Sequence, residues 1–230
     1  FPALGLAVPY ERFRDLHLAH HRDERLTDPY DDPESNYLDP DVWRRLSAWR
    51  RAVLRANNTL LGRMALGPAV SLPPWWRDEA RRALGGDPAV RRAWALHAAG
   101  LAPVALWLSA VGTMPLWAYL AAAYLALSLL KIRTFLEHRA HEKAAGRSVV
   151  IEDRGPLALL FLNNNLHAVH HAHPQIPWHA LPRFYAERRE HFLKKNRGYR
   201  YASYADVFRA HFLSAKDPVP HPLRRGRSRT

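Results

Sequence analysis

The sequence predicts an all-α fold, in which an integral membrane helical hairpin carries a cytoplasmic helical cap. Three observations lead to this prediction. Residues 93–130 contain no Lys, Arg, Asp or Glu. Both flanks are rich in charge and show helical apolar patterns. Histidines recur in both flanks at spacings of one helical turn.

These patterns divide the 230 residues into four parts. Residues 1–92 form a cytoplasmic and interfacial segment with a first histidine box, and residues 93–130 form the transmembrane hairpin. Residues 131–215 form the cytoplasmic helical cap with a Glu-His pair and a second histidine box. Residues 216–230 form a basic, disordered tail.

The uncharged block is long enough for two membrane spans. A bilayer core of about 30 Å needs roughly 20 apolar residues per helix, which places spans over 93–111 and 115–130. Aromatic side chains near the ends resemble interfacial anchors: Trp94, Trp107, Trp117 and Tyr119. A buried helical hairpin of a soluble protein is the alternative interpretation of the same block.

The basic residues lie on both sides of this block, 15 before it and 19 after it. Because basic flanks remain in the cytoplasm, both ends of the hairpin are expected there. The net charge of +13 therefore has a membrane explanation, and we expect no nucleic-acid partner. The absence of Cys excludes disulfide scaffolds, Cys-ligated zinc, iron–sulfur clusters and a Cys nucleophile.

The segments before the hairpin are predicted from capping and turn residues. Residues 9–25 should be helical, and residues 26–41 form a loop with three Asp-Pro steps. Residues 42–66 read as one amphipathic helix on the membrane surface, ended by Gly67-Pro68. A soluble amphipathic helix is the alternative.

The segments after the hairpin are predicted to be mostly helical. Residues 131–145 continue the second span as a polar helix, and residues 157–171 form another helix. Residues 148–151 are a short strand. The chain from Pro218 is rich in Pro and Arg and is expected to be disordered.

Two histidine boxes share the pattern H-x-x-H-H. On a helix, positions i, i+3 and i+4 lie on one face, and neutral imidazoles bind Fe, Zn, Cu and Ni. The pattern therefore predicts metal ligands at His17, His20, His21, His167, His170 and His171.

A third cluster is His138 and His141, at i and i+3 on the predicted extension of the second span. His138 should project about 12 Å beyond the apolar stretch, so all three clusters can converge just outside the bilayer. Seven or eight histidines are too many for one metal, which predicts two metal ions. A histidine-rich two-metal site beside apolar helices points to iron and to O₂ chemistry on a lipid chain.

The boxes also carry a family resemblance. HLAHH, Glu137-His138 and NNNLHAVHH followed by Pro174 resemble the membrane fatty acid desaturases, and the sequence around both boxes resembles the bacterial branch. The resemblance implies a di-iron centre on the cytoplasmic face of a multi-pass protein, in the inner membrane of a bacterium. It implies ligand roles for His17, His20, His21, His138, His167, His170 and His171, with no further catalytic residue.

The sequence departs from the family pattern upstream of His17. Members normally carry an earlier H-x(3–4)-H box, residue 1 is Phe, and the first residues are apolar. We therefore expect that an N-terminal part with a further hairpin is missing. Some members place an Asn one turn before the lone His, where Thr134 stands here.

Six residues are candidates for orienting the ligand histidines through hydrogen bonds to their second ring nitrogen. They are Asn163, Asn164, Asn165, Asp28, Asp32 and Glu34. The alternative is that the amides end the preceding helix and that the acidic stretch forms turns.

The resulting expectation is an O₂-dependent desaturase of a long-chain acyl lipid. No flavin or nicotinamide fingerprint is present, so electrons should come from a ferredoxin, or from cytochrome b5 with its reductase. A related hydroxylase or ketolase acting on a carotenoid, alkane or sphingolipid is the nearest alternative. A non-catalytic metal-binding or transport protein is the second, although transporters place ligands at mid-membrane.

Overall fold

The computed structural model describes residues 7–21 and 25–224, and this part of the chain is mostly helical. The helices before and within the uncharged block are α1 Tyr10–His20, α2 Pro40–Arg45, α3 Ala48–Asn57, α4 Leu60–Leu84, α5 Pro88–Ala110 and α6 Leu116–Thr134. Those that follow are α7 Pro156–Leu160, α8 His167–Ala172, α9 Leu181–Glu187, α10 Arg189–Lys195 and α11 Tyr204–His211.

A two-stranded parallel sheet is the departure from an all-α fold. Strands β1 (Val150–Ile151) and β2 (Arg200–Tyr201) pair with Val150 opposite Arg200. The predicted strand at 148–151 is thus confirmed over its second half. The sheet lies beside the core that α6, α7 and α11 share, and β1 also contacts α8.

Helices α5 and α6 are the two apolar helices expected from the uncharged block. Each is long and apolar enough to cross a membrane, and only 11% of each apolar window is buried within the protein. Asp87 caps α5 by accepting from the amides of Ala89 and Val90. Large apolar side chains such as Trp117, which is 72% exposed, face outward.

The single amphipathic helix predicted over 42–66 is wrong. Leu46 is extended and separates α2 from α3, and Thr59 caps a separate helix α4 through the amide of Gly62. Gly67-Pro68 does not end that helix, because packing on α6 outweighs the lost hydrogen bonds. A Cβ at Gly67 would lie 3.2 Å from Cγ of Lys131, so a larger residue would require this side chain to shift.

The polar extension of the second span, predicted over 131–145, is confirmed only as far as Thr134 and is wrong beyond it. Helix α6 ends at Thr134, because Phe135 and Leu136 turn into the core and are 2% and 0% exposed. The chain then runs beside 147–149: the Val149 amide donates to Glu137, and His138 bridges Ser148. His138 therefore lies on an extended segment and not on a helix.

The helix predicted over 157–171 is interrupted. Helix α7 ends at Leu160, and Leu162 and Asn163 have φ of 52° and 55°. Asn tolerates this left-handed region, so the Asn run allows a sharp turn. The turn brings α8 to β1, and the Ala168 amide donates to the carbonyl of Val149, directly before β1, at 2.9 Å.

The expected disordered tail is wrong for residues 216–224. The Leu38 amide donates to Val219 at 3.0 Å, and the His221 amide donates to Leu38 at 2.8 Å. Val219 is 9% exposed, so burial and backbone pairing both order this segment. Residues 225–230 of the predicted tail lie outside the described residues, as do the first six apolar residues and 22–24 of the predicted first helix.

Candidate metal centre

Seven of the eight predicted histidines come together in two groups. Within each group, one nitrogen per residue lies within 4.8 Å of all the others. The four-histidine group is His20, His138, His167 and His171. The three-histidine group is His17, His21 and His170.

Helices α1 and α8 divide their boxes between the two groups in opposite ways. In α1, positions i and i+4 (His17 and His21) belong to the three-histidine group, and His20 belongs to the other. In α8, positions i and i+4 join the four-histidine group, and only His170 joins the three-histidine group. The two helices thus face each other across both groups.

Facing Nε2 atoms define the centre of each group. His138 Nε2 lies 2.8 Å from that of His20 and 3.0 Å from that of His167. In the other group, His21 Nε2 lies 3.1 Å from His17 Nε2 and 3.1 Å from His170 Nε2. The rings of His21 and His171 stack at 4.3 Å, so the two groups are neighbours.

Two carboxylates hold the histidines of α1 from behind. Asp32 Oδ1 lies 2.8 Å from Nδ1 of His20, and Glu34 Oε1 lies 3.1 Å from Nδ1 of His17. Asp32 is itself fixed, because it accepts from the amides of Thr27 and Glu34. An Nδ1–H that donates to these oxygens leaves the Nε2 lone pair facing the centre.

The histidines of the cap have comparable partners. Ser148 Oγ lies 3.2 Å from Nδ1 of His138, and Asn164 Oδ1 lies 3.3 Å from Nδ1 of His167. The Asn164 amide donates to Glu137 Oε1, at 3.0 Å, which fixes its orientation. Of the six predicted orienting residues, three therefore lie beside a ligand candidate: Asp32, Glu34 and Asn164.

The other predicted residues lie elsewhere. Lys143 donates its amide to Nδ1 of His141, outside both groups, because the chain is not helical there. Asp28 accepts from the amides of Tyr30 and Asp31 in a turn. Asn163 donates to the Trp178 carbonyl, and Asn165 donates to the Ile151 carbonyl.

Sequence reasoning missed Ser148 and the role of Glu137. Glu137 also accepts from Arg133 Nε at 2.8 Å, which joins the end of α6 to the Asn164 side chain. Its position next to His138 in sequence was a usable signal. Ser148 had none, since its contact depends on the bridge between two extended segments.

The electrostatics keep most of these imidazoles neutral. Burial, with the neighbouring imidazoles, lowers the pKa of His170 to about 3 and of His21 to about 4. The same causes hold the pKa of His138 and His167 well below the ordinary value. For His20, burial lowers the pKa, but Asp32 and Glu34 outweigh it and raise it. Neutral imidazole is the form that binds metals, so the four histidines with a lowered pKa are already in the form that a metal requires.

A cavity of about 380 Å³ opens beside the four-histidine group. Its volume falls in the range of ligand pockets, which is about 300–1,000 Å³. His20 and His138 line it on one side. Apolar side chains of α4 and α6 line it further on: Leu72, Trp75, Leu127 and Leu130.

The model of the fatty acid desaturase family matches residues 1–203, which include all seven grouped histidines. The chain belongs to the fatty acid desaturase family. No curated protein and no solved structure matches it.

Membership of the fatty acid desaturase family accounts for the histidine groups. The family consists of histidine-box metal enzymes, and the two groups of this desaturase-family chain are compatible with such a centre. Its two apolar helices are likewise compatible with a membrane location. The family therefore supports an oxidoreductase, either a desaturase or a related di-iron lipid oxidase.

Proposed function

We propose that this chain is the O₂-dependent, di-iron part of a desaturase that introduces a double bond into a long acyl chain. One observation carries the proposal. Seven imidazoles meet in two adjacent groups, and a cavity whose surface is mostly apolar adjoins one of them. Such a cavity suits a hydrocarbon chain better than a polar substrate.

The two groups would each hold one iron. The four-histidine group offers buried ligands, and the three-histidine group is half-buried, which leaves room for further ligands. When bound, the irons would supply the O₂ activation needed to oxidise an unactivated hydrocarbon. His141 is no longer part of the proposed ligand set.

The chain's own residues would orient the ligands and the substrate. Asp32 holds the proton at Nδ1 of His20, and Glu34 holds the proton at Nδ1 of His17, so both Nε2 atoms stay available. Trp75 and Leu127 line the same cavity, where they would pack against a hydrocarbon chain and exclude water around it. An acyl chain lying there would pass His20 and His138.

The reaction requires electrons from outside this chain. Forming one double bond while reducing O₂ to two waters consumes two electrons and two protons in addition to the two substrate hydrogens. A ferredoxin, or cytochrome b5 with its reductase, would supply them. If α5 and α6 cross a bacterial inner membrane, the basic flanks favour the cytoplasmic side for the histidines, and the cavity would have access to lipid.

Lipid analysis of cells that express the full-length gene tests this proposal. We expect an O₂-dependent rise in unsaturated acyl chains, abolished in His170→Ala and unchanged in His191→Ala, whose side chain is on the exposed surface. Hydroxylated or keto products would contradict the desaturase activity and would indicate the related hydroxylase or ketolase instead. Unchanged lipids, with metal flux into vesicles, would contradict both and favour transport.

A further inference from the structure

The C-terminal strap, residues 216–221, lies outside the range that the family model matches but reaches the metal centre. Backbone hydrogen bonds of Val219 and His221 to Leu38 fix it against the loop after α1. The Asn58 side-chain amide also donates to the Asp217 carbonyl. The strap is therefore tied to the part of the chain that carries Asp32 and Glu34.

Lys216 joins the strap to the ligand segment. Its side chain is only 10% exposed, and Nζ donates to the backbone carbonyl of His138. The same ammonium lies 3.4 Å from Asp217 Oδ2. The partners of this largely buried ammonium are therefore one backbone carbonyl and one carboxylate.

Tyr37 makes a second link between the strap and the ligand segment, at Ala140, two residues after His138. Its hydroxyl donates to Asp217 Oδ2 at 2.5 Å and accepts from the Ala140 amide at 2.9 Å. Lys216 and Tyr37 therefore hold the carbonyl of His138 and the amide of Ala140 through one shared carboxylate. Both polar groups would be satisfied by neighbouring turns if the segment were helical.

His138 needs such support more than its partners do. The other six histidines lie on α1 and α8 or directly after α1, whereas His138 lies on an extended segment that is held by backbone pairing with residues 147–149 and not by a helix. Its Nε2 is nevertheless between those of His20 and His167. Metal–ligand distances tolerate deviations of only about 0.2 Å, so a small backbone shift at His138 would weaken this group.

We propose that Lys216 is a positioning residue for His138 and that the C-terminal strap sets the metal affinity of the four-histidine group. The inference rests on the proposed function only in requiring a metal at that group. Metal binding at that group would then require residues 216–221, which lie beyond the range that the family model matches.

The test measures Co²⁺ binding to the purified full-length protein by chelator competition and by the visible absorption of the bound cobalt. We expect Lys216→Met to weaken one of two Co²⁺ sites about 10- to 100-fold, to change its spectrum and to leave the other site intact. Lys216→Arg, which keeps a donor, should recover part of the affinity. The matched control Lys194→Met removes an exposed lysine and should change neither site.

Tyr37→Phe keeps the test decisive if Lys216→Met does not fold. It removes only the hydroxyl that holds the Ala140 amide, and we expect a several-fold loss at the same site. Wild-type affinity at both sites in folded Lys216→Met, or in Tyr37→Phe when Lys216→Met does not fold, would overturn the proposal. Because no turnover is measured, a protein that binds two Co²⁺ but forms no double bond would contradict the proposed reaction and not the role of the strap.

Discussion

An oxygen atom lies beside Nδ1 in His17, His20, His138 and His167, and this decides which ring nitrogen faces the centre. Two of these oxygens are carboxylates, one is a hydroxyl and one is an amide. A carboxylate that accepts the Nδ1 proton also makes the imidazole a stronger donor to a metal. In a metal-bound protein, residues outside the histidine boxes would therefore control ligand strength.

Asp32 offers the clearest test of this control. Asp32→Ala removes the acceptor from His20 and should lower iron affinity about 10- to 100-fold. Asp31→Ala, a neighbouring exposed carboxylate, is the matched control and should bind iron normally. Metal content after dialysis against a weak chelator measures both. Equal retention in the two variants would show that Asp32 does not support His20.

The lowered pKa values of His170 and His21 predict a pH dependence of the metal-free protein. In the folded state the pKa is about 3 for His170 and about 4 for His21, against 6.5 for an ordinary histidine. Between pH 4 and 6.5 the unfolded chain therefore binds more protons than the folded chain. The free energy of unfolding should therefore fall as the pH drops from about 6.5 towards 4. The pKa of His20 is raised, so its contribution to the free energy of unfolding is lost as the pH rises above 6.5.

Thermal unfolding of the metal-free protein measures this dependence. His170→Gln removes one of the two groups with a lowered pKa, so its stability should depend less on pH between 6.5 and 4 than that of the wild type. The exposed His191→Gln should keep the wild-type slope. A steeper slope in His170→Gln would contradict the burial of a neutral imidazole at this position.

A buried ion pair links three helices around the site. Arg12 of α1 donates twice to Glu79 of α4, at 2.8 Å each, and Trp94 of α5 donates to the same carboxylate. Arg12 and Glu79 are 5% and 2% exposed. Removing one partner of such a pair leaves an uncompensated buried charge, whereas replacing both with apolar residues costs less.

Glu79→Ala should therefore destabilise the protein by about 3–5 kcal/mol. The double variant Arg12→Met/Glu79→Leu should be more stable than Glu79→Ala, because no buried charge is left unpaired. Chemical denaturation monitored by circular dichroism measures both. A double variant as unstable as Glu79→Ala would show that packing, rather than charge, dominates at this junction.

The elements that could be predicted from sequence depend on local geometry. The boxes around His20 and His170 lie on helices because i, i+3 and i+4 are neighbours on any helix, and the uncharged block forms two helices as expected. The end of α6 could not be predicted, because it depends on burying Phe135 and Leu136 against distant strands. His141 therefore lies outside both histidine groups despite its helical spacing to His138.

The order of residues 216–224 was equally hidden from sequence reasoning. Its composition resembles a disordered tail, and nothing in it marks Lys216 as buried. Its backbone partner, Leu38, lies in a loop that precedes this segment by more than 170 residues in the sequence. Long-range backbone pairing of this kind leaves no local pattern.

At the scale of the whole molecule, the apolar hairpin separates from the charged part of the chain. Its helices expose their apolar side chains, and all seven grouped histidines lie outside it. A membrane around α5 and α6 would bury this surface and leave the histidines beside it. Both flanks must then lie on one side, since otherwise the two boxes could not meet.

The chain has no Cys, so single cysteines report its topology cleanly. Asp31→Cys and Ser214→Cys lie at exposed positions of the two flanks, and Met114→Cys lies at the exposed turn of the hairpin. An impermeant thiol reagent added to intact cells should label Met114→Cys alone. Labelling of only one flank together with the hairpin turn would contradict a membrane hairpin.

The proposed centre uses His170 and six further histidines to hold two metal ions, and His141 takes no part. Iron content per chain, measured on the purified full-length protein after expression with iron, tests this assignment. We predict two irons in the wild type and in His141→Ala, and a clear loss in His170→Ala. Two irons retained in His170→Ala, or iron lost in His141→Ala, would contradict the assignment.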